Sequence, residues 1–262
     1  MSQSSAPGTV FSAFWLYSVA PEFQRLPVTE QKSGKAEFLS ALEARDGSVE
    51  LRGSYSLVGL RHNADLMFWM LGPDLDAIQR LAVNLRHTGL GRYLIQVETY
   101  IGAVTPARYD PGHQPAFMSG AQPKQYISVY PFVKTTEWFL LPYERRRELM
   151  AEHGMVGRKY AVSREKLTTP SETQNGQGVS RSATSVAAPD TTETSGGVLA
   201  NTVDSFGLGD YEFILANEAD DPVEIVRMME ALRATDVRHY TKQDTPIYLG
   251  RLREPAEALA DL

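Results

Sequence analysis

Four stretches follow one another almost without a break: VELRGSYSLVGL (Val49–Leu60), ADLMFWMLG (Ala64–Gly72), DLDAIQRLAVNLR (Asp74–Arg86) and YLIQVETYIGAV (Tyr93–Val104). The first alternates polar and apolar residues, the period of a half-buried strand. The second is a short continuous apolar run and reads as a buried strand. The third sets Leu75, Ile78, Leu81 and Leu85 on one stripe of an amphipathic helix. The fourth is again a strand. Upstream, Phe11–Ala20 is aromatic and β-rich, Pro21 ends it, and Glu22–Arg45 carries apolar residues at helical spacing (Phe38, Leu39, Leu42) up to the Asp46-Gly47 turn. The order is β-α-β-β-α-β, the ferredoxin-like unit.

Residues 105–124 are rich in Pro and Gly and form a connector that carries His113. Beyond it the same order returns. Tyr126–Lys134 reads as a strand, Pro142–Met155 as a helix, Thr202–Leu208 as a short strand and Asp210–Asn217 as a clear one. Pro222–Thr235 is a helix with Ile225, Met228, Met229 and Leu232 inward, and Thr245–Arg251 closes the unit. The expectation is an α+β fold: two tandem ferredoxin-like halves, 1–104 and 125–251, whose antiparallel sheets make a barrel-like core with helices outside. Residues 252–262 are left as a tail. The duplication is topological, since no residue-level repeat is visible. Residues 163–198 hold no aromatic side chain and are dominated by small and polar types, so they read as a disordered surface insertion in the second half.

Composition narrows the function. Net charge is −6 with a pI near 5.5, which gives no bulk attraction for nucleic acid or an anionic membrane. The absence of cysteine removes disulfides, thiolate-held metals, iron–sulfur clusters and cysteine nucleophiles. No apolar run approaches the ~18–20 residues of a membrane span, and the N-terminus lacks a signal-peptide pattern. The expectation is a soluble cytoplasmic protein. No GxGxxG, Walker A, GxSxG or HExxH occurs, which leaves nucleotide, hydrolase and zincin readings without support.

The densest chemistry lies in QYISVYPFVKTTEWFLLPYERRRELMAEHGMVGRKY, Gln125–Tyr160. His153 shares a helix face with Leu149, Met150 and Val156, where it is either a satisfied core histidine or an axial haem ligand. Strand alternation puts Tyr126, Ser128, Tyr130 and Phe132 on one face, and Lys134 continues it. Tyr130 is then either a packed aromatic or a redox-active phenol, and Lys134 either a solvated strand end or a donor to a carboxylate. Trp138 could wall a flat ligand or fill core. His113, in a loop, is solvated unless that loop covers a pocket, where its ordinary pKa suits a base that deprotonates peroxide.

Taken as strings, YPFVKTTEW, LLPYERRRELMAEHGMVGRKY, NTVDSFGLGDYEFILA and LRATDVRHYTKQDTPIYLGR closely resemble the actinobacterial coproheme decarboxylases, which are chlorite-dismutase-like haem proteins. The resemblance runs from Phe11 to Arg251, interrupted by Ser163–Val198. It implies homopentamers of two-half subunits that bind iron-coproporphyrin III (coproheme), both substrate and redox cofactor. Hydrogen peroxide would convert propionates 2 and 4 to vinyls, through a three-propionate intermediate, giving haem b and CO2. This would be the last step of coproporphyrin-dependent haem synthesis, with transient contact to coproporphyrin ferrochelatase. By position in the motifs, His153 would ligate iron, Tyr130 would be the catalytic radical site and Lys134 would position a propionate. Trp138 would line the pocket, and His113 would be the distal base. Glu212 would lie near the proximal imidazole, and Arg92, Arg108 and Arg158 are unassigned candidates for further propionate contacts. The alternatives are a chlorite dismutase or weak haem peroxidase, and a non-enzymatic haem carrier or sensor that needs His153 but not Tyr130. Chlorite dismutases use a distal Arg from the strand that follows this region. Leu199-Ala200-Asn201-Thr202 carries none, which argues against chlorite chemistry.

Overall fold

The computed structural model describes residues 8–105, 114–162 and 197–262. The first half contains β1 (Val10–Val19), the short helix α1 (Pro21–Gln24), α2 (Val28–Glu43), β2 (Glu50–Ser56), β3 (Leu66–Gly72), α3 (Leu75–Arg86) and β4 (Leu94–Val104). The second contains β5 (Tyr126–Lys134), α4 (Thr136–Leu140), α5 (Tyr143–Tyr160), β6 (Leu199–Asp204), β7 (Phe213–Ala219), α6 (Pro222–Arg233), β8 (Thr241–Gln243), β9 (Tyr248–Arg253) and α7 (Pro255–Ala260).

Strand order carries the duplication that the residues hide. The sheet runs β7-β6-β4-β1-β3-β2-β9-β5-β8, and a further β7–β5 pairing closes it into a ring. The first half contributes β4-β1-β3-β2 and the second β9-β5-β7-β6, the same ferredoxin-like arrangement traversed twice. Both halves cap their second long helix alike: Asp74 accepts the Asp76 amide at α3, and Asp221 accepts the Val223 amide at α6. The seams between halves are thin. β2 and β9 meet over Ser54–Ser56, and β4 meets β6 at the Ala103–Asp204 pair.

Alternation divides the strands' side chains between two apolar layers. Phe14, Tyr55, Trp69, Tyr100, Ile127, Val129, Ile214 and Tyr248 fill the inside of the ring. On the outer face of the first half, Trp15, Phe68 and Met70 pack against Phe38 and Leu42 of α2 and Ile78, Leu81 and Leu85 of α3. Residues expected as a tail enter this layer too. β9 continues to Arg253, and α7 inserts Ala258 and Leu259 into the same core. Their apolar signal spans too few residues to show a period. The short strand β8 was not foreseen, and β6 begins at Leu199 rather than Thr202.

His113, Arg108 and most of 163–198 lie outside the described residues. Val198, the last residue of that expected insertion, is fully buried and bridges Ala161. Among the described residues, no helix is long and apolar enough to cross a membrane.

Candidate active site

On the outer face of the second half, the helices stand off the sheet. Between them lies a cleft of about 330 Å3, walled by Tyr130, Phe132 and Lys134 of β5, by Phe213 and Leu215 of β7, and by Met150 and His153 of α5. The equivalent space in the first half is packed solid by α2 and α3. The difference begins in α5, which buries only Leu149. The expected apolar face of this helix is therefore mostly cleft wall, with Met150 left 45% exposed.

Tyr130 and Lys134 share the cleft because strand alternation sends Ile127 and Val129 into the ring interior and their neighbours outward. Pro131 sits where β5 has left β9, whose pairing ends at Val129, and has not reached β8, which begins at Val133. An interrupted edge is where a strand tolerates proline. The Tyr130 phenol is buried, donates to Met229 Sδ at 3.2 Å and accepts from Asn217 Nδ2 at 3.4 Å. Burial pushes its pKa up to about 12, with the Asn217 bond pulling the other way.

Lys134 holds its ammonium 4.3 Å from the Trp138 ring centroid and 5.0 Å from that of Phe132. Desolvation brings its pKa down to about 8, opposed by Glu212. The Glu212 carboxylate, expected near the imidazole of His153, accepts the Lys134 backbone amide at 2.7 Å. His153 is held below the usual histidine range, first by burial and then by the Lys134 charge, and is neutral at neutral pH. Its Nδ1 is buried with no hydrogen-bond partner. Trp138, on α4, packs with Leu149, Val237 and Tyr240 and presents its ring to the cleft.

Three charged cleft residues escaped the sequence reading. Arg233 and Arg238 both donate to Asp244 Oδ2, at 2.7 and 2.6 Å, and all three line the cleft. The guanidinium groups stay about two-fifths exposed while Asp244 is nearly buried. They lie on α6, the turn after it and the loop before β9, and only the fold brings them together. Arg92 and Arg158 are exposed and do not line the cleft. Thr202 is the β6 residue that does.

The chain matches the family model described as chlorite dismutase over residues 31–173 and 190–253. The chain belongs to the chlorite dismutase family. It is 36% identical over 238 residues to a coproheme decarboxylase of Mycolicibacterium smegmatis, covering 90% of this chain and 87% of that one. Its fold matches that of the chlorite dismutase from Candidatus Nitrospira defluvii in complex with imidazole, with a TM-score of 0.73 at 21% identity over 96% and 94% of the two chains.

The cleft of this chlorite dismutase family member suits a haem-type group on its own chemistry. Among the described residues there is no cluster of three or more His, Asp or Glu that could hold a bare metal ion. An iron already held by four porphyrin nitrogens needs only one protein ligand, and a neutral imidazole on a rigid helix supplies it. The orphaned Nδ1 marks an imidazole whose polar atoms are not spent on the protein around it. Aromatic and aliphatic walls fit a flat macrocycle, and the cationic side chains Lys134, Arg233 and Arg238 fit its carboxylates.

Proposed function

We propose that this protein is a coproheme decarboxylase that uses hydrogen peroxide to convert two propionates of iron-coproporphyrin III to vinyls, releasing haem b and CO2. The observation that carries this reading is one cleft that gathers a buried phenol and a desolvated lysine from one strand and a neutral histidine from the helix facing it. The 36% identity to a named coproheme decarboxylase supports it.

His153 would hold the iron, and the iron porphyrin, when bound, supplies the redox chemistry through which peroxide is reduced. For each propionic acid group, one peroxide is consumed: a β-hydrogen atom, then a second electron and a proton, leave the group, and the products are a vinyl, CO2 and two waters. Tyr130 would give up an electron and its proton, then abstract the β-hydrogen. A phenol suits this because its O–H is a one-electron donor, which a hydroxyl or carboxylate is not. Lys134 would hold the reacting carboxylate near Tyr130, and its rings keep water from competing for the ammonium. Arg233 and Arg238 would hold further carboxylates, because each already forms a charge-assisted bond to a carboxylate oxygen. Trp138 would line the macrocycle. His113 would deprotonate peroxide on the distal side, a role that rests on resemblance alone. The same reading includes a homopentamer in the cytoplasm and passing contact with the ferrochelatase that supplies the substrate.

The test is to load coproheme, titrate peroxide and follow product masses. The wild type should lose two carboxyl groups, while Tyr130→Phe should bind coproheme and leave all four propionates intact. Decarboxylation of both propionates at the wild-type rate by Tyr130→Phe would overturn the reading. The family description favours a second reading, chlorite dismutation. It predicts oxygen release from chlorite, against which stands Thr202, a small hydroxyl residue, as the β6 contribution to the cleft.

A further inference from the structure

We infer that Asn217 and Met229 form a socket for the Tyr130 phenol, fixing the direction of its oxygen while bonding its proton to a thioether and not to a base. This rests on the proposed role of Tyr130, and it adds two positioning residues on separate elements. Asn217 is on β7, 3% exposed, and pairs in register with Ser128 on β5. It lies on the outward face, two residues beyond Leu215 of the cleft wall and two before Ala219, which packs against α6. Every neighbour along that row is apolar, and a buried amide there needs a partner, because a buried polar group left unpaired is destabilising. Its Nδ2 donates to the phenol oxygen. Met229, one turn before Leu232 and Arg233 on α6, receives the phenol proton on sulfur.

The chemistry of the acceptor gives the socket its meaning. A thioether is a weak hydrogen-bond acceptor and is not a base in water. Removing an electron from a phenol is favourable only if its proton can also go, because the radical cation is a strong acid. With Met229 as its acceptor, the Tyr130 proton is not bonded to a base, and the cleft carboxylate of Asp244 is held instead by Arg233 and Arg238. A substrate carboxylate entering beside Lys134 is a far better acceptor, and it would draw the O–H away from sulfur. Asn217, donating to the oxygen throughout, keeps the phenol in place as the proton is lost and stabilises the oxygen of the radical.

The socket can be read in the protein before any porphyrin is added. With tyrosine labelled at Cζ, the Tyr130 resonance is assigned by its loss in Tyr130→Phe. The substitutions Asn217→Leu and Met229→Leu each remove one bond while roughly keeping side-chain volume, and each should shift that resonance in the apoprotein. Asn217→Leu should then bind coproheme as the wild type does and decarboxylate about tenfold more slowly, the effect of one lost hydrogen bond. Met229→Leu should alter the rate by less, because sulfur only parks the proton. If Asn217→Leu does not fold, Asn217→Ala reports the same lost bond. An unmoved Tyr130 resonance in both variants, or an unchanged rate in the Asn217 variant, overturns the socket. If Tyr130→Phe is inactive in the same assays, such a result would refute the socket alone and leave the proposed function standing.

Discussion

Lys134 brings a positive charge into a wall of rings, and this makes its behaviour with pH specific. The group is 9% exposed, and burial lowers its pKa from 10.5 to about 8. The sign follows from proton counting. Between pH 8 and 10.5 the unfolded chain holds a proton that the folded chain has released, so stability rises with pH through that window. Below pH 8 both states carry the proton, and the folded state bears the full cost of the shift, on the order of 3 kcal/mol. Lys134→Met should therefore be more stable than the wild type at pH 7, by urea denaturation, and the gap should close as pH approaches 10.5. A gap that widens with pH would contradict this. A polycarboxylate ligand reverses the balance, because its charge restores the ammonium. Coproheme affinity, followed by absorbance titration, should fall as pH rises above 8 in the wild type and stay flat over the same range in Lys134→Met.

At the scale of elements, α5 shows where sequence legibility ends. The positions of β1 to β5 were readable because period-two alternation is fixed by backbone geometry, and α3 and α6 were readable because each buries a stripe. The α5 stripe, which the sequence leaves open between core packing and a ligand wall, faces a cleft, since periodicity reports which residues share a face but not what stands opposite. The same limit hid Arg233, Arg238 and Asp244, whose meeting depends on tertiary placement, and Asn217, a polar residue among the apolar side chains of the outward face of β7. Tyr130, Lys134, Trp138 and His153 could be singled out because their types are unusual at such positions. α5 also carries Gly154 and Gly157 in its interior, each costing the helix ~1 kcal/mol relative to alanine. A methyl at Gly157 would meet Leu232 at 3.7 Å, ordinary contact, and one at Gly154 would approach only the Arg158 guanidinium, at 3.4 Å. Gly154→Ala combined with Gly157→Ala should raise the melting temperature by roughly 4–8 °C for the added ~2 kcal/mol. No gain in a thermal melt would show that the local backbone departs from what alanine accepts.

Across the whole molecule, the two halves are joined by thin strand seams and by one buried ionic cluster. Arg52 of β2 donates to Glu218 of β7 through Nε at 3.2 Å and Nη2 at 2.7 Å, with both side chains at most 4% exposed. Arg52 also reaches the Ala121 carbonyl at 2.8 Å and lies 4.8 Å from the Trp69 ring centroid. Glu218 accepts the Asn201 side chain and the Lys124 amide, and Asn201 in turn accepts the Phe117 amide. The cluster therefore ties the first half, the second half and the end of the connector to one carboxylate. Burial raises the Glu218 pKa against the pull of Arg52, so this pair is held by its surroundings and is not a free source of stability. Removing one partner leaves a buried charge without compensation. Arg52→Met should destabilise the fold by about 3–5 kcal/mol, whereas Arg52→Met with Glu218→Leu should recover much of that loss. Both are measured by denaturant unfolding, with a double-mutant cycle isolating the coupling. The connector gives the cycle a second readout. If the cluster also anchors residues 114–125 against the ring, the double variant should regain stability yet show faster proteolysis of the connector than the wild type. Equal proteolysis would mean that the apolar packing of Ala116, Ala121 and Leu199 anchors the connector without it.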